Sequence, residues 1–164
     1  MREAAKEGGE ANLHASAVAF PSPDGAFGVL VLGASGSGKS GLVLRLMALG
    51  ARLVSDDRVV LRRDPAGFLI AAAPAPITGL VEARGVGILR APAGGPVPVC
   101  LAVDLDAAPG GRLPPRRKIL LLGCDIELIC ARGVPNLDAI VTVLAQTGAA
   151  ITQDDSAATG EPPV

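Results

Sequence analysis

Aromatic side chains are nearly missing from this sequence: three Phe, no Tyr and no Trp in 164 residues. Stacking platforms for single-stranded nucleic acid therefore lack their material, and so does an aromatic sugar cleft. An excess of basic charge is missing too. Fifteen Lys and Arg stand against 16 Asp and Glu, a net charge of −1, which excludes a strongly basic nucleic-acid footprint. No run of about 18 uncharged apolar residues occurs, so no membrane-spanning helix is expected. The start, Met1-Arg2-Glu3-Ala4-Ala5-Lys6-Glu7, is charged with no apolar run behind it, unlike a secretory signal. Histidine occurs once, at His14, and the three cysteines, Cys100, Cys124 and Cys130, show no CxxC spacing. A zinc site is not expected, and reduced thiols of a cytoplasmic protein are.

What is present is a folding composition. Hydrophobic residues make up 49% and charged residues 19%, which excludes wholesale disorder. The length fits one domain. Residues 1–11 are polar and read as a disordered segment, 12–148 as one domain, and 149–164, with Asp154-Asp155-Ser156 and Glu161-Pro162-Pro163, as a disordered tail.

Within the domain, Leu13–Phe20 is a short apolar run closed by the turn cluster Pro21-Ser22-Pro23-Asp24-Gly25. With Phe27–Leu32 it predicts a hairpin. Gly38–Leu49 carries apolar residues at helical spacing and stops at Gly50. Arg52–Ser55, Arg58–Arg62 and Phe68–Ala73 read as strands. Ala71–Pro98, rich in Ala, Pro and Gly, reads as long functional loops. Val97–Leu105, Ile119–Leu122 and Ile126–Ala131 read as further strands. Asn136 is placed to cap a last helix, Leu137–Gln146, ended by Gly148. Many strands and few helices predict an α/β fold with a mixed sheet.

The decisive segment is Gly33-Ala34-Ser35-Gly36-Ser37-Gly38-Lys39-Ser40. It fits G-x-x-x-x-G-K-[ST], with an apolar strand running in and an amphipathic helix running out. Glycines let successive N–H groups turn toward one anion, and the helix N-terminus adds partial positive charge at the same point. Lys39 supplies a mobile charge for the β- and γ-phosphates, and Ser40 a hard oxygen for Mg²⁺. Gly41, inside the first helical turn, leaves room for another loop to approach.

A cradle binds phosphate without choosing a reaction. The next strand ends in Asp56-Asp57, where carboxylates can hold Mg²⁺ or take a proton. Adjacent residues of a strand point opposite ways, so one role each is expected. Leu101-Ala102-Val103-Asp104-Leu105-Asp106 is a rival acidic strand end. Glu82 and Arg84 in Val81-Glu82-Ala83-Arg84-Gly85-Val86-Gly87-Ile88 share a face if extended, setting a metal-binding carboxylate beside a phosphate-binding guanidinium; a surface ion pair fits the same spacing. Arg112, Arg116, Arg117 and Lys118 form a basic stretch that reads as a solvated loop or as a source of phosphoryl-stabilising charge.

Taken in order, His14, the cradle, Ser55-Asp56-Asp57, the Glu82–Ile88 stretch and Arg112-Leu113-Pro114 resemble the catalytic, C-terminal domain of HPr kinase/phosphorylase in its short, single-domain form. The acid–x–Arg–Gly–x–Gly stretch, with Gly85 and Gly87, carries most of that resemblance. It implies a P-loop kinase-like domain that uses ATP and Mg²⁺ to phosphorylate a serine of an HPr-type phosphocarrier protein. It also implies the reverse step, in which inorganic phosphate releases pyrophosphate. By resemblance, residues 33–40 bind ATP, Ser40 and Glu82 hold the metal, and Asp57 is proton acceptor and, in reverse, donor. Lys39, His14 and Arg112 complete the active site, and a homo-oligomer, a hexamer, is implied. Ala131-Arg132-Gly133-Val134-Pro135-Asn136 matches only loosely the family loop tied to dephosphorylation. Two further readings fit the cradle: a P-loop small-molecule kinase with Arg112–Lys118 as its lid, and a non-catalytic ATP-sensing module.

Overall fold

A computed structural model describes residues 9–148. The chain forms strands β1 (Glu10–Leu13), β2 (Ser16–Ser22), β3 (Gly25–Leu32), β4 (Arg52–Ser55), β5 (Val59–Arg63), β6 (Leu69–Ala72), β7 (Leu80–Ala83), β8 (Gly87–Arg90), β9 (Val97–Asp104), β10 (Lys118–Leu121) and β11 (Cys124–Cys130). Two helices accompany them, α1 (Lys39–Ala48) and α2 (Leu137–Thr147), with a short 3₁₀ turn at Ala75–Ile77. The architecture is α/β with a mixed sheet and few helices, as the sequence predicts.

The large sheet runs β1-β5-β6-β9-β3-β2-β4. At its centre β3 lies parallel to β9, and β9 lies parallel to β11, which pairs with β10. The β2–β3 hairpin is antiparallel in full register, Ser16 opposite Val31 and Ser22 opposite Gly25. Side chains of β3 alternate between two buried layers. Val29 and Val31 pack with Leu42, Val43 and Leu46 of α1 and Val141 of α2, while Leu30 packs with Val59, Leu61 and Leu69 beneath the other face. This two-sided burial explains the near-continuous apolar run of β3. Truncating fully buried Leu42 to Ala would cost about 2–5 kcal/mol. Gly28 is needed for that central pairing, because a Cβ there would collide with the Pro98 carbonyl.

Several expectations change. The run Leu13–Phe20 is not one strand. It splits at His14-Ala15, because β1 pairs with β5 while β2 pairs with β3 and β4. Ala71–Pro98 is not only loop: β7 and β8 form a separate two-stranded hairpin turning at Ala83–Gly87. Its Val86 and Ile88 are exposed, which erases the hydrophobic alternation that would have marked strands. Asn136 stands at the start of α2, but in a left-handed conformation without a side-chain cap bond. Gly148 ends that helix with φ 80°, as expected. Of the expected disordered ends, 149–164 and residues 1–8 lie outside the described residues, whereas Glu10 and Ala11 stand in β1. No helix among the described residues is long and apolar enough to cross a membrane. Cys124 and Cys130 are buried, Cys100 is half-buried, and all three are free thiols.

Candidate active site

The cradle begins where β3 ends and turns into α1. Gly33, Gly36 and Gly38 all have positive φ, the last being the N-cap of α1 at 99°. No side chain caps that helix start, and its first turn holds no acid, so nothing on the helix itself competes for an anion at its positive end. The cradle thus forms as the motif predicts. Gly41 lines the cavity together with Glu82 and Arg84, and a Cβ there would meet only the Arg45 side chain within 4 Å.

Lys39 folds back over its own loop and is only 6% exposed. Its Nζ donates to the carbonyls of Gly33 at 2.8 Å and Ala34 at 2.9 Å, and lies 3.3 Å from His14 Nε2. These contacts use all three ammonium protons. Burial lowers the Lys39 pKa from its ordinary value, and the carboxylates of Asp57, Asp106 and Asp56 oppose that shift.

His14, at the break between β1 and β2, joins two groups. Its Nδ1 lies 3.3 Å from Asp57 Oδ1. The neutral tautomer protonated at Nδ1 satisfies both contacts: Nδ1–H donates to Asp57 and Nε2 accepts from Lys39. Asp57 adopts φ 68°, and its carboxylate faces the cavity.

Asp56 points the other way and is buried. Its carboxylate accepts from Ser16 Oγ at 2.8 Å, from Ser40 Oγ at 2.9 Å and from the Glu82 backbone N–H at 3.1 Å. Ser16 Oγ in turn accepts the Asp57 N–H at 3.2 Å. The two neighbouring acids thus take separate positions, but not by strand alternation: β4 ends at Ser55, and Asp57 turns away with its left-handed backbone. Ser16 is a site residue the sequence reading missed. The available signal was a hydroxyl set between Ala15 and Ala17 in an otherwise apolar segment.

These groups converge on a cavity of about 270 Å³ lined by His14, the cradle residues Ser35, Gly36, Gly38, Lys39 and Ser40, and by Gly41, Leu44, Asp57, Glu82 and Arg84. Glu82 and Arg84 thus share the face that an extended backbone gives residues two apart. Gly85 and Gly87, with φ 83° and 137°, form the turn beyond them. Arg112 is not brought to the cavity: it is exposed, in the stretch 105–117 between β9 and β10. Asp104, the rival acid, makes no contact with Ser40. Its Oδ1 accepts the N–H of Asp106, whose own carboxylate accepts the Ala34 N–H at 2.6 Å.

The donor set fits a nucleotide phosphate with a divalent cation. Ser37 Oγ is buried with no hydrogen-bond partner and does not line the cavity, whereas the cradle backbone at Gly36 and Gly38 does, beside Lys39 and the uncapped start of α1. Ser40, Asp56 and Glu82 offer only oxygen ligands, the preference of Mg²⁺. Fold and site together define a phosphate-binding-loop domain of the α/β class, kinase-like in its pairing of cradle and acids.

Comparison with known proteins narrows the class. Residues 24–93 match the family model of the HPr Serine kinase C-terminal domain. The chain is 48% identical over 63 residues to HPr kinase/phosphorylase of Geobacillus sp. (strain WCH70), covering 38% of this chain and 20% of that protein. The same figures hold for HPr kinase/phosphorylase of Listeria monocytogenes serotype 4a. The matched segment therefore spans about a fifth of these relatives. The solved Hpr(Ser) kinase/phosphatase from Coxiella burnetii superposes with a TM-score of 0.68 at 26% identity, over 82% of this chain and 87% of that one. In sequence over residues 24–93, and in fold over most of its length, the chain resembles HPr kinase/phosphorylase, as its motifs imply.

Proposed function

We propose that the chain is an ATP- and Mg²⁺-dependent protein kinase for a serine of an HPr-type phosphocarrier protein, and that the same site runs phosphorolysis of the phosphoserine. One observation carries this reading: Lys39, Ser40, Asp57 and Glu82, from three separate stretches of chain, line one cavity at the mouth of the cradle.

The cradle amides of residues 33–40 would hold the phosphates, with Lys39 turning from its own loop toward them. Ser40, Asp56 and Glu82 would hold Mg²⁺, which when bound offsets charge between the β- and γ-phosphates. Asp57 takes the proton of the attacking serine hydroxyl, and His14 orients that carboxylate through Nδ1. In reverse, Asp57 returns the proton to the serine oxygen as inorganic phosphate takes the phosphoryl group and pyrophosphate leaves. Microscopic reversibility gives one residue both tasks. Arg112 would join the site only by movement of the 105–117 stretch. A cytoplasmic location and a hexameric assembly complete the reading; light scattering on the purified protein tests the latter.

The test is incubation with Mg²⁺, γ-labelled ATP and an HPr-type protein, beside the same protein with its acceptor serine replaced by alanine. Label on the serine, absent from the control, is expected, and added phosphate should then release labelled pyrophosphate. Tight ATP binding with no transfer to protein would instead favour a sensing module. Transfer to a small molecule alone would favour the small-molecule kinase.

A further inference from the structure

We infer that Asp106 is a positioning residue for the cradle: its carboxylate fixes the Gly33–Ala34 peptide so that this peptide can hold Lys39 in place. The inference deepens the proposed function and rests on Lys39 acting at a phosphate.

The argument begins with one peptide unit. The Gly33 carbonyl and the Ala34 N–H lie in the same peptide plane and point in opposite directions within it. On one side Gly33 O accepts from Lys39 Nζ at 2.8 Å. On the other, Ala34 N–H donates to Asp106 Oδ2 at 2.6 Å. The peptide is thus held between an ammonium and a carboxylate, and each charge-assisted bond polarises the plane in the sense that strengthens the other. Such fixing matters here because Gly33, at φ 153°, has little intrinsic preference for one orientation of its peptide.

Asp106 is itself anchored. The parallel pairing of β3 and β9 continues one step past the strands, where Leu105 N–H donates to Leu32 O at 3.0 Å. Asp106 N–H donates to Asp104 Oδ1 at 2.9 Å, and the flanking residues are tied to the segment after β11 through Ala131 N–H to Asp104 O and Arg132 N–H to Ala107 O. The carboxylate therefore reaches the cradle from a backbone held by two neighbours. It does not line the cavity, so it acts on phosphate only through the loop and Lys39.

The experiment compares wild type, Asp106→Ala and Asp106→Asn in the full chain. Asp106 is exposed, so both variants should fold, which thermal melting checks. Both remove the charge, but asparagine keeps an oxygen able to accept the Ala34 N–H; their difference isolates the acceptor. Two quantities are read: Mg²⁺-ATP affinity by calorimetry, and the rate at which a lysine-acylating reagent labels Lys39 without nucleotide, with Lys118 as internal reference. Asp106→Ala should weaken ATP binding about tenfold, the loss of one charge-assisted hydrogen bond, and label Lys39 several-fold faster. Asp106→Asn should restore both to within about threefold of wild type. Asp106→Ala behaving as wild type, or Asp106→Asn as impaired as Asp106→Ala, would overturn the inference. Wild type binding no nucleotide would overturn the proposed function instead, and the labelling comparison would still decide the role of Asp106.

Discussion

The hydroxyl of Ser40 lies 2.9 Å from both carboxylate oxygens of Asp56. The last residue of the phosphate motif is thereby tied to the first acid of the next strand end, and through Asp56 to Ser16 and the Glu82 backbone. One buried carboxylate thus organises four segments of chain that never meet in sequence.

Asp56→Ala should be costly for that reason. It leaves Ser16, Ser40 and the Glu82 N–H without their acceptor, and the stranded, fully buried Ser16 hydroxyl alone costs about 1–3 kcal/mol. The melting temperature should fall by at least about 4 °C, and Mg²⁺ should no longer tighten ATP binding. A variant that melts and binds Mg²⁺-ATP as wild type would show that Asp56 organises nothing.

Asp57→Asn should separate chemistry from binding. The side chain faces the cavity and, among the described residues, pairs with His14 alone, so stability and ATP affinity should hold. Phosphoryl transfer should drop about 10²–10⁴-fold with the loss of the proton acceptor. Full transfer by Asp57→Asn would remove the residue from its proposed task.

Gly33→Ala should abolish nucleotide binding. Its φ of 153° disfavours any side chain, and a Cβ would collide with Ser37 Oγ, the buried hydroxyl of the cradle. Circular dichroism should remain native while calorimetry shows no heat of ATP binding; retained binding would mean the loop can reshape without cost.

Cys100 gives a pH signature away from the site. Burial raises its thiol pKa, with a backbone hydrogen bond from Gly28 opposing. The folded state therefore holds this proton more tightly than the unfolded chain. That contribution to stability is complete below the unfolded thiol pKa and is lost as pH rises through the folded one. Cys100→Ala should flatten this alkaline part of the stability curve, and alkylation of Cys100 should lag behind that of the denatured chain near pH 8. Equal alkylation rates in the two states would contradict the burial.

Much of this was legible along the chain. The cradle, the β2–β3 hairpin, both helices and the acidic strand end follow from glycine placement, apolar spacing and a strict local motif, because each depends on residues close in sequence. Glu82 and Arg84 were legible as a pair sharing one face. What could not be read was every relation set by sheet order. The break at His14 exists because β1 and β2 choose different partners. The contact of Asp106 with Ala34 exists because β9 lies beside β3. The choice of Asp56 over Asp104 as partner for Ser40, and the absence of Arg112 from the cavity, are decided by long-range pairing and loop placement. Local chemistry fixed which groups are available; only the packing of distant strands decided which of them meet.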